Sequence, residues 1–229
     1  MSKFLWCEDS KSGYQFWRAI FAEMLPEMNV ESKGSNSLLR KAVCGIEADD
    51  NDYYIIMDTA VDNPDVLRET RYLAIKARVK DNIHIIRLHS FEFALLSFKL
   101  LEQWIFAEQD ELKDQRQELL NARDVFIERL SDTGEASGLA AFKALFDAYE
   151  KKNSEQIAAK LLFEITRNTG FETDKSKLGD CFVNGCCEWA GRRDDDICGL
   201  DAHRINANEK ARLLVERSIL KKAFEGVGL

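Results

Sequence analysis

Proline is scarce in this chain: only Pro26 and Pro64 occur among the 229 residues, and there is no serine- or glycine-rich tract. Long disordered linkers are usually rich in such residues. The hydrophobic content of 45% is ordinary for a globular protein. We therefore expect a folded chain without a long linker, either as one large domain or as a domain of ordinary size with an appendage.

Long apolar segments are also missing. The longest run, FALLSF, is followed closely by Lys99 and Glu102, so it is too short and too charged to span a bilayer. The first ten residues, MSKFLWCEDS, lack the apolar stretch of a signal peptide. The sequence therefore predicts a cytoplasmic protein that does not contact a membrane.

The chain has no excess of positive charge. It carries 40 acidic and 32 basic side chains, which gives a formal net charge of −8. Proteins that coat nucleic acids without sequence preference are usually basic. The charge therefore argues against binding by bulk electrostatics. It is still compatible with a local phosphate-binding groove that has a metal ion at its base.

The first hundred residues alternate strand patterns with helical patterns. Apolar and β-branched segments predict strands at residues 3–7, 29–33, 52–58 and 82–90. Helical patterns lie between them, and one begins with a good cap, Asn63, followed by Pro64. This order predicts an α/β fold in which a small parallel sheet carries helices on both faces.

The remainder of the chain has helical patterns and no convincing strand. We therefore divide it into an α/β domain, residues 1–106, and a helical region, residues 107–229. The helical region contains an irregular segment that carries cysteines, residues 171–205.

Acidic side chains follow three of the predicted strands. Glu8 comes after KFLWC, Asp58 after YYIIM, and Glu92 just after IHIIRLHS. The carboxyl ends of parallel strands open into the crevice where ligands bind. Carboxylates gathered there repel one another unless a cation joins them, and Mg²⁺ prefers such oxygen ligands. The sequence therefore predicts a magnesium site and metal-dependent phosphodiester chemistry.

Two of these segments, FLWCEDSKSG and YYIIMDTAVDNPD, resemble the topoisomerase–primase (TOPRIM) domain, in which a Glu follows the first strand and an acidic motif follows a later one. The segment LHSFEFALLSF is similar to the Ser–x–Glu feature of OLD-family and RloB-like nucleases. The resemblance covers about 100 of the 229 residues. The acidic motif of the family is Asp–x–Asp, whereas this chain has Ala60 at the second position and Asp62 after it.

The resemblance implies a division of roles among the carboxylates. Asp58 would be the principal Mg²⁺ ligand and Asp62 a second one. Glu8 would be a shared ligand or a general base, and Glu92 would complete the site. The implied catalytic residues are therefore Glu8, Asp58 and Glu92.

Phosphate contacts are expected beside this site. Lys11 lies in the loop after Glu8, and Arg87 lies near the end of the fourth predicted strand, shortly before Ser90. We assign Lys11, Arg87 and Ser90 as phosphate-binding residues. A simpler alternative is that Lys11 is a surface charge and Ser90 a helix cap.

Three functions stay open at this point. The resemblance implies a Mg²⁺-dependent nuclease or nucleic-acid-processing protein, with a role in bacterial defence. Ala60 instead favours a catalytically inactive module that binds nucleic acid or regulates it. The third hypothesis is an interaction protein that recruits a protein partner through its helical tail.

The cysteine-bearing segment is a candidate zinc site. Its residues are spaced C-x4-C-C-x10-C-x4-H, and no pair has the common C-x2-C spacing. A structural Zn²⁺ and a set of reduced, partly buried thiols are both compatible with this pattern. Two further cysteines, Cys7 and Cys44, are expected in the core. The candidate zinc ligands are Cys181, Cys186, Cys187, Cys198 and His203.

Overall fold

The structure, a computed structural model, describes residues 2–47, 49–60, 62–105, 110–133, 137–184 and 205–229. Four of the five candidate zinc ligands lie outside these ranges: Cys186, Cys187, Cys198 and His203. The fifth, Cys181, is buried, and its backbone carbonyl accepts a hydrogen bond of 2.7 Å from the Lys210 ammonium. The zinc site therefore stays a prediction.

A four-stranded sheet forms the centre of the α/β part, and all of its strands are parallel. The strand order is β2-β1-β3-β4. The four predicted strands are confirmed, with ends that differ by two residues at most: β1 Lys3–Cys7, β2 Met28–Ser32, β3 Asp52–Asp58 and β4 Ile83–Leu88. The continuous apolar run in β3 is buried on both faces of the sheet, as is typical of a central parallel strand.

Helices cover both faces of this sheet, as the sequence predicts. One face packs against α1, Ser12–Met24, through its buried aromatic side chains. The other face packs against α2, Asn36–Cys44, and α3, Pro64–Ala77. Ser35 caps α2, and Asn63 caps α3 through hydrogen bonds to the first backbone N–H groups. Because α2 follows β2 and α3 follows β3, both helices begin at the end of the sheet where the strands end.

The helical region continues from the sheet with several helices. These are α4 Phe91–Leu96, α5 Leu101–Ile105, α6 Lys113–Thr133, α7 Ser137–Leu145, a 3₁₀ turn Asp147–Tyr149, α8 Ser154–Thr166, α9 Asp180–Val183, α10 Ala207–Glu216 and α11 Leu220–Glu225. In the described part of the chain, none of the helices is long and apolar enough to cross a membrane.

Two segments of the sequence, FEFALLSFKLLEQWIF and ANEKARLLVERSILKKAF, each predict one long helix, and each helix is broken in the structure. The first breaks between α4 and α5, and the second between α10 and α11. The two breaks meet, because Lys99 N–H donates to the Arg217 carbonyl at 2.9 Å and Ile219 N–H donates to the Ser97 hydroxyl at 3.1 Å. The backbone groups released from each helix thus find partners in the other segment.

One hydrophobic core extends through both parts of the chain. It joins Leu5 and Ile20 of the α/β part to Leu161 of α8 and Leu214 of α10. Helix α8 packs on α4, and α10 packs on α1. This packing holds the start of α8 beside the sheet. The division at residue 106 stays a prediction.

The two cysteines expected in the core differ in burial. Cys7 is buried in β1, as predicted. Cys44 is exposed, so its prediction is wrong. Helix α2 buries Leu39 and Val43, which are four residues apart and lie on one side of the helix. Cys44, the next residue, is turned away from that side.

Candidate functional site

Glu8 and Asp58 lie at the carboxyl end of the sheet, where each carboxyl group acts on the pKa of the other. Glu8 directly follows β1 and Asp58 ends β3, and these strands are paired in parallel. Their ends therefore lie side by side, as the strand-end pattern predicts. The side chain of Asn36, the first residue of α2, acts against the effect of burial and lowers the pKa of Glu8.

Asp9, the residue after Glu8, lies in the same group. The Trp17 indole N–H donates a hydrogen bond of 2.8 Å to its carboxylate. Gly13 makes room for this arrangement, because a Cβ at that position would lie 2.7 Å from the Asp9 Cβ and closer still to its carboxylate. Residues of α1 thus hold the Asp9 side chain in place.

Glu92 reaches the group from the first turn of α4. Burial raises the pKa of Glu92 to about 7, and the negative charges of Asp9 and Glu155 act in the same direction. The hydroxyl of Ser90 accepts a hydrogen bond of 3.1 Å from the Phe93 N–H, so Ser90 caps α4. Ser90 also lowers the pKa of Glu92, against the effect of burial.

Glu155, like Asp9, is not among the site residues predicted from the sequence. It lies in the first turn of α8, and the Asn63 side-chain amide donates a hydrogen bond of 3.1 Å to its carboxylate. Its negative charge raises the pKa of Glu8, Asp58 and Glu92. In the sequence Glu155 is an ordinary first-turn acid within the capping box of α8, so no local pattern distinguishes it as a site residue.

Asp62 is engaged differently from the other acidic residues. Its carboxylate accepts hydrogen bonds from the Ser154 N–H at 2.8 Å and from the Ser154 hydroxyl at 2.5 Å. These bonds hold the loop after β3 against the start of α8. Asp62 is therefore placed to position Glu155, and its role as a metal ligand stays a prediction.

We call the five remaining carboxyl groups the acidic cluster: Glu8, Asp9, Asp58, Glu92 and Glu155. Burial is the main cause that raises the pKa of each of them. Repulsion between members of the cluster adds to this rise for Glu8, Asp58 and Glu92, and the charge of Asp62 adds to it for Glu155. The pKa of Asp58 is raised well above its ordinary value. No Lys or Arg among the described residues forms an ion pair with the cluster. The cluster thus combines burial with like charge.

The donor set of the cluster suits a hard divalent cation. Every candidate donor is a carboxylate oxygen, the ligand type that Mg²⁺ prefers. Within the described ranges, no three His, Cys, Asp or Glu side chains are already arranged to hold a metal ion. The raised pKa values of Glu8 and Asp58 favour protonated carboxyl groups, so a cation at these oxygens would compete with protons.

The three predicted phosphate-binding residues lie in different surroundings. Lys11 is exposed at the start of α1, in the loop that carries Glu8. Arg87 is paired with Met57, so it lies on the face of the sheet opposite to Asp58, in a groove against α11. Ser90 is buried as a helix cap. Among these residues, Lys11 is the best placed to meet a phosphate at the cluster.

Comparison with known proteins gives no relative: the chain matches no protein-family model, and no curated protein or solved structure is detectably similar to it. The TOPRIM-like character of the domain therefore stays a resemblance. Function has to be inferred from the fold and from the acidic cluster.

Proposed function

We propose that the protein is a Mg²⁺-dependent phosphodiesterase that cleaves nucleic acid. The acidic cluster is the observation that carries this proposal. Its five carboxyl groups come from the loop after β1, the end of β3, α4 and α8, and they lie together half-buried, without a basic partner among the described residues. A fold that needed these groups only for stability would gain from replacing them.

Two processes can relieve the repulsion within the cluster. Protons can neutralise the carboxylates, which is why their pKa values are raised. A divalent cation can instead join them, and the oxygen-only donor set favours Mg²⁺ over softer metals. A cation would compete with protons for the carboxylate of Asp58, whose pKa is raised, so both processes act on the same atoms.

We assign a separate task to each carboxylate. Asp58 and Glu8 would hold the Mg²⁺ ion, and Glu155 would supply the carboxylate that the acidic motif lacks at position 60. When bound, Mg²⁺ supplies a Lewis acid for the phosphate oxygens. Glu92, whose raised pKa is about 7, would accept a proton from the attacking water at a pH near neutrality.

A catalytically inactive nucleic-acid-binding module is the second candidate. Ala60 favours it, because this residue is fully buried and apolar where the related motif has an acid. Glu155 favours the enzyme, because it brings a carboxylate into the cluster from a different helix. A role in bacterial defence stays a prediction.

Cleavage assays test the proposal directly. Purified protein is incubated with single- and double-stranded DNA and RNA in Mg²⁺, in Mn²⁺ or in EDTA. We expect metal-dependent cleavage by the wild type and a loss of at least about 100-fold in Asp58→Asn and Glu155→Gln, as is typical when a group that stabilises charge is removed.

The matched controls carry the same substitutions elsewhere on the same elements. Asp52→Asn lies at the opposite end of β3, and Glu164→Gln lies near the other end of α8. We expect both to cleave at the rate of the wild type. Cleavage that survives Asp58→Asn would contradict the proposal. Binding of nucleic acid without cleavage by the wild type would support the inactive module.

A further inference from the structure

Helices α2 and α3 form a positively charged surface on an acidic protein. Together they carry five basic and two acidic side chains, and Arg78 and Lys80 follow α3, whereas the whole chain has a net charge of −8. Since these helices bury one side against the sheet, their charged side chains line the outer side. We call this outer side the α2–α3 face, defined by Arg40, Arg68, Arg71, Tyr72, Ile75 and Lys76.

Part of this positive charge is free to meet a ligand. Arg40 is held by Glu69 at 2.5 Å, and Arg68 pairs with Asp65 at 3.2 Å. Arg71 and Lys76 are exposed and form no ion pair with any residue that the structure describes. Their charges are therefore not neutralised by the protein itself.

An exposed aromatic ring lies among these cations. Tyr72 is 53% exposed, and its neighbour on the same face, Ile75, is 61% exposed. The Arg40 guanidinium lies 5.4 Å from the centre of the Tyr72 ring, which fixes the ring on the surface. A groove of about 500 Å³ runs beside the ring, and it is lined by Pro64, Leu67, Arg68, Arg71, Tyr72 and Ile75.

The α2–α3 face leads to the acidic cluster. Helix α2 begins at Asn36, which is close enough to Glu8 to lower its pKa, and α3 begins after Asn63, which donates a hydrogen bond to Glu155. Arg71 follows Asn63 by eight residues. At a rise of 1.5 Å per residue, this places Arg71 about 12 Å further along the helix axis. A ligand on the face can thus extend into the cluster.

We propose that the α2–α3 face binds a single strand of nucleic acid and guides it to the acidic cluster. The strand would place phosphates on Arg71 and Lys76 and stack one base on Tyr72, since cations and exposed aromatic rings together are how proteins hold unpaired strands. This inference deepens the proposed function and rests on it. A second copy of the chain fits less well, because a symmetric dimer would bring like charges together.

Oligonucleotide binding tests this inference independently of cleavage. Fluorescence anisotropy is measured with labelled 12-nucleotide DNA and RNA strands in EDTA over a series of salt concentrations. We expect Arg71→Ala and Lys76→Ala each to weaken binding by about 3- to 10-fold and to lower the slope of log K against log salt by about 0.7. Tyr72→Ala should weaken binding by about 5-fold or more and leave the slope unchanged.

Lys221→Ala is the matched control, because Lys221 is an exposed lysine on α11, outside the α2–α3 face. It should bind as the wild type does, and thermal unfolding should show that all of these surface variants stay folded. Unchanged affinity in Arg71→Ala, Lys76→Ala and Tyr72→Ala would overturn the inference. A dimer in solution that Arg71→Glu dissociates would also overturn it, in favour of a second copy.

The binding and cleavage experiments can fail independently, so they test the α2–α3 face and the nuclease proposal separately. Binding that depends on Arg71 and Tyr72 in a protein that cleaves nothing would support the α2–α3 face and contradict the nuclease. Cleavage that is lost in Asp58→Asn, combined with oligonucleotide affinity that is unchanged in Arg71→Ala and Tyr72→Ala, would support the nuclease and overturn the role of the face.

Discussion

The carboxylate of Asp62 accepts two hydrogen bonds from Ser154, one at 2.8 Å from the backbone N–H and one at 2.5 Å from the hydroxyl. The adjacent Asn63 donates at 3.1 Å to Glu155, so two neighbouring pairs join segments that are 92 residues apart. These contacts fasten the start of α8 to the loop after β3. They make the position of Glu155 depend on Asp62.

Loss of this contact should weaken the whole fold. In Asp62→Ala the buried Ser154 loses the acceptor for both of its donors, and an unsatisfied buried polar group costs roughly 1–3 kcal/mol. We expect urea unfolding to show a loss of this size, larger than that of Ser154→Ala. Asp65→Ala, an exposed acid three residues later, should change stability by less than about 0.5 kcal/mol. Equal stability of Asp62→Ala and the wild type would show that the hydrogen bonds between Ser154 and Asp62 do not stabilise the fold.

The raised pKa of Glu92 predicts a stability that falls with pH. The folded protein holds this proton up to a pKa of about 7, whereas the ordinary value is 4.5. Stability from Glu92 is therefore fully present below pH 4.5 and is lost as the pH rises through 7. We expect Glu92→Gln, measured in EDTA, to be more stable than the wild type at pH 8 by roughly 1–3 kcal/mol. At pH 4, below both pKa values, the difference should nearly vanish.

Stability is measured against pH for both the wild type and Glu92→Gln, and the difference between the two curves reports on Glu92 alone. Burial lowers the pKa of His89 to about 4, so His89 contributes stability above its ordinary pKa that is lost as the pH falls. This contribution is common to both proteins. Glu102→Gln, an exposed acid in the first turn of α5, should leave the curve unchanged. Parallel curves for Glu92→Gln and the wild type would exclude the assigned pKa.

Gly13 should tolerate no side chain, although alanine normally favours a helix. A Cβ there would lie 2.7 Å from the Asp9 Cβ, so Asp9 would have to leave the Trp17 indole. We expect Gly13→Ala to lower the free energy of unfolding by roughly 1–3 kcal/mol, as overpacking does. In Gly45→Ala the nearest atom would be 3.5 Å away, so the same change should be neutral. A Gly13→Ala protein as stable as Gly45→Ala would show that Asp9 is not held this way.

The part of the site that follows from strand order was predictable. Parallel strands end at one edge of a sheet, so Glu8 and Asp58 had to lie together once β1 and β3 were paired. Glu92 followed by the same reasoning from β4. Periodicity and caps likewise gave the strands and the helices of the first hundred residues.

The other features of the site and fold depend on tertiary packing, which cannot be predicted from local sequence patterns. Glu155 enters the cluster because α8 packs on α4. Asp62 was expected beside Asp58 because it is near in sequence, yet its partner is Ser154. The two broken helices have continuous helical patterns, and they end where Ser97 and Arg217 bring their backbones together.

Calorimetric titration of Mg²⁺ into the protein at pH 6 and pH 8 tests the central claim most directly. We expect the wild type and Asp52→Asn to bind the ion more tightly at pH 8 and to release protons as they do so, because the pKa values of Glu8 and Asp58 are raised and a cation competes with protons for these carboxylates. Asp58→Asn should bind at least about 10-fold more weakly, as expected when a ligand is lost. A wild-type protein that binds no Mg²⁺ at either pH, or an Asp58→Asn variant with unchanged affinity, would contradict a shared cation in the acidic cluster.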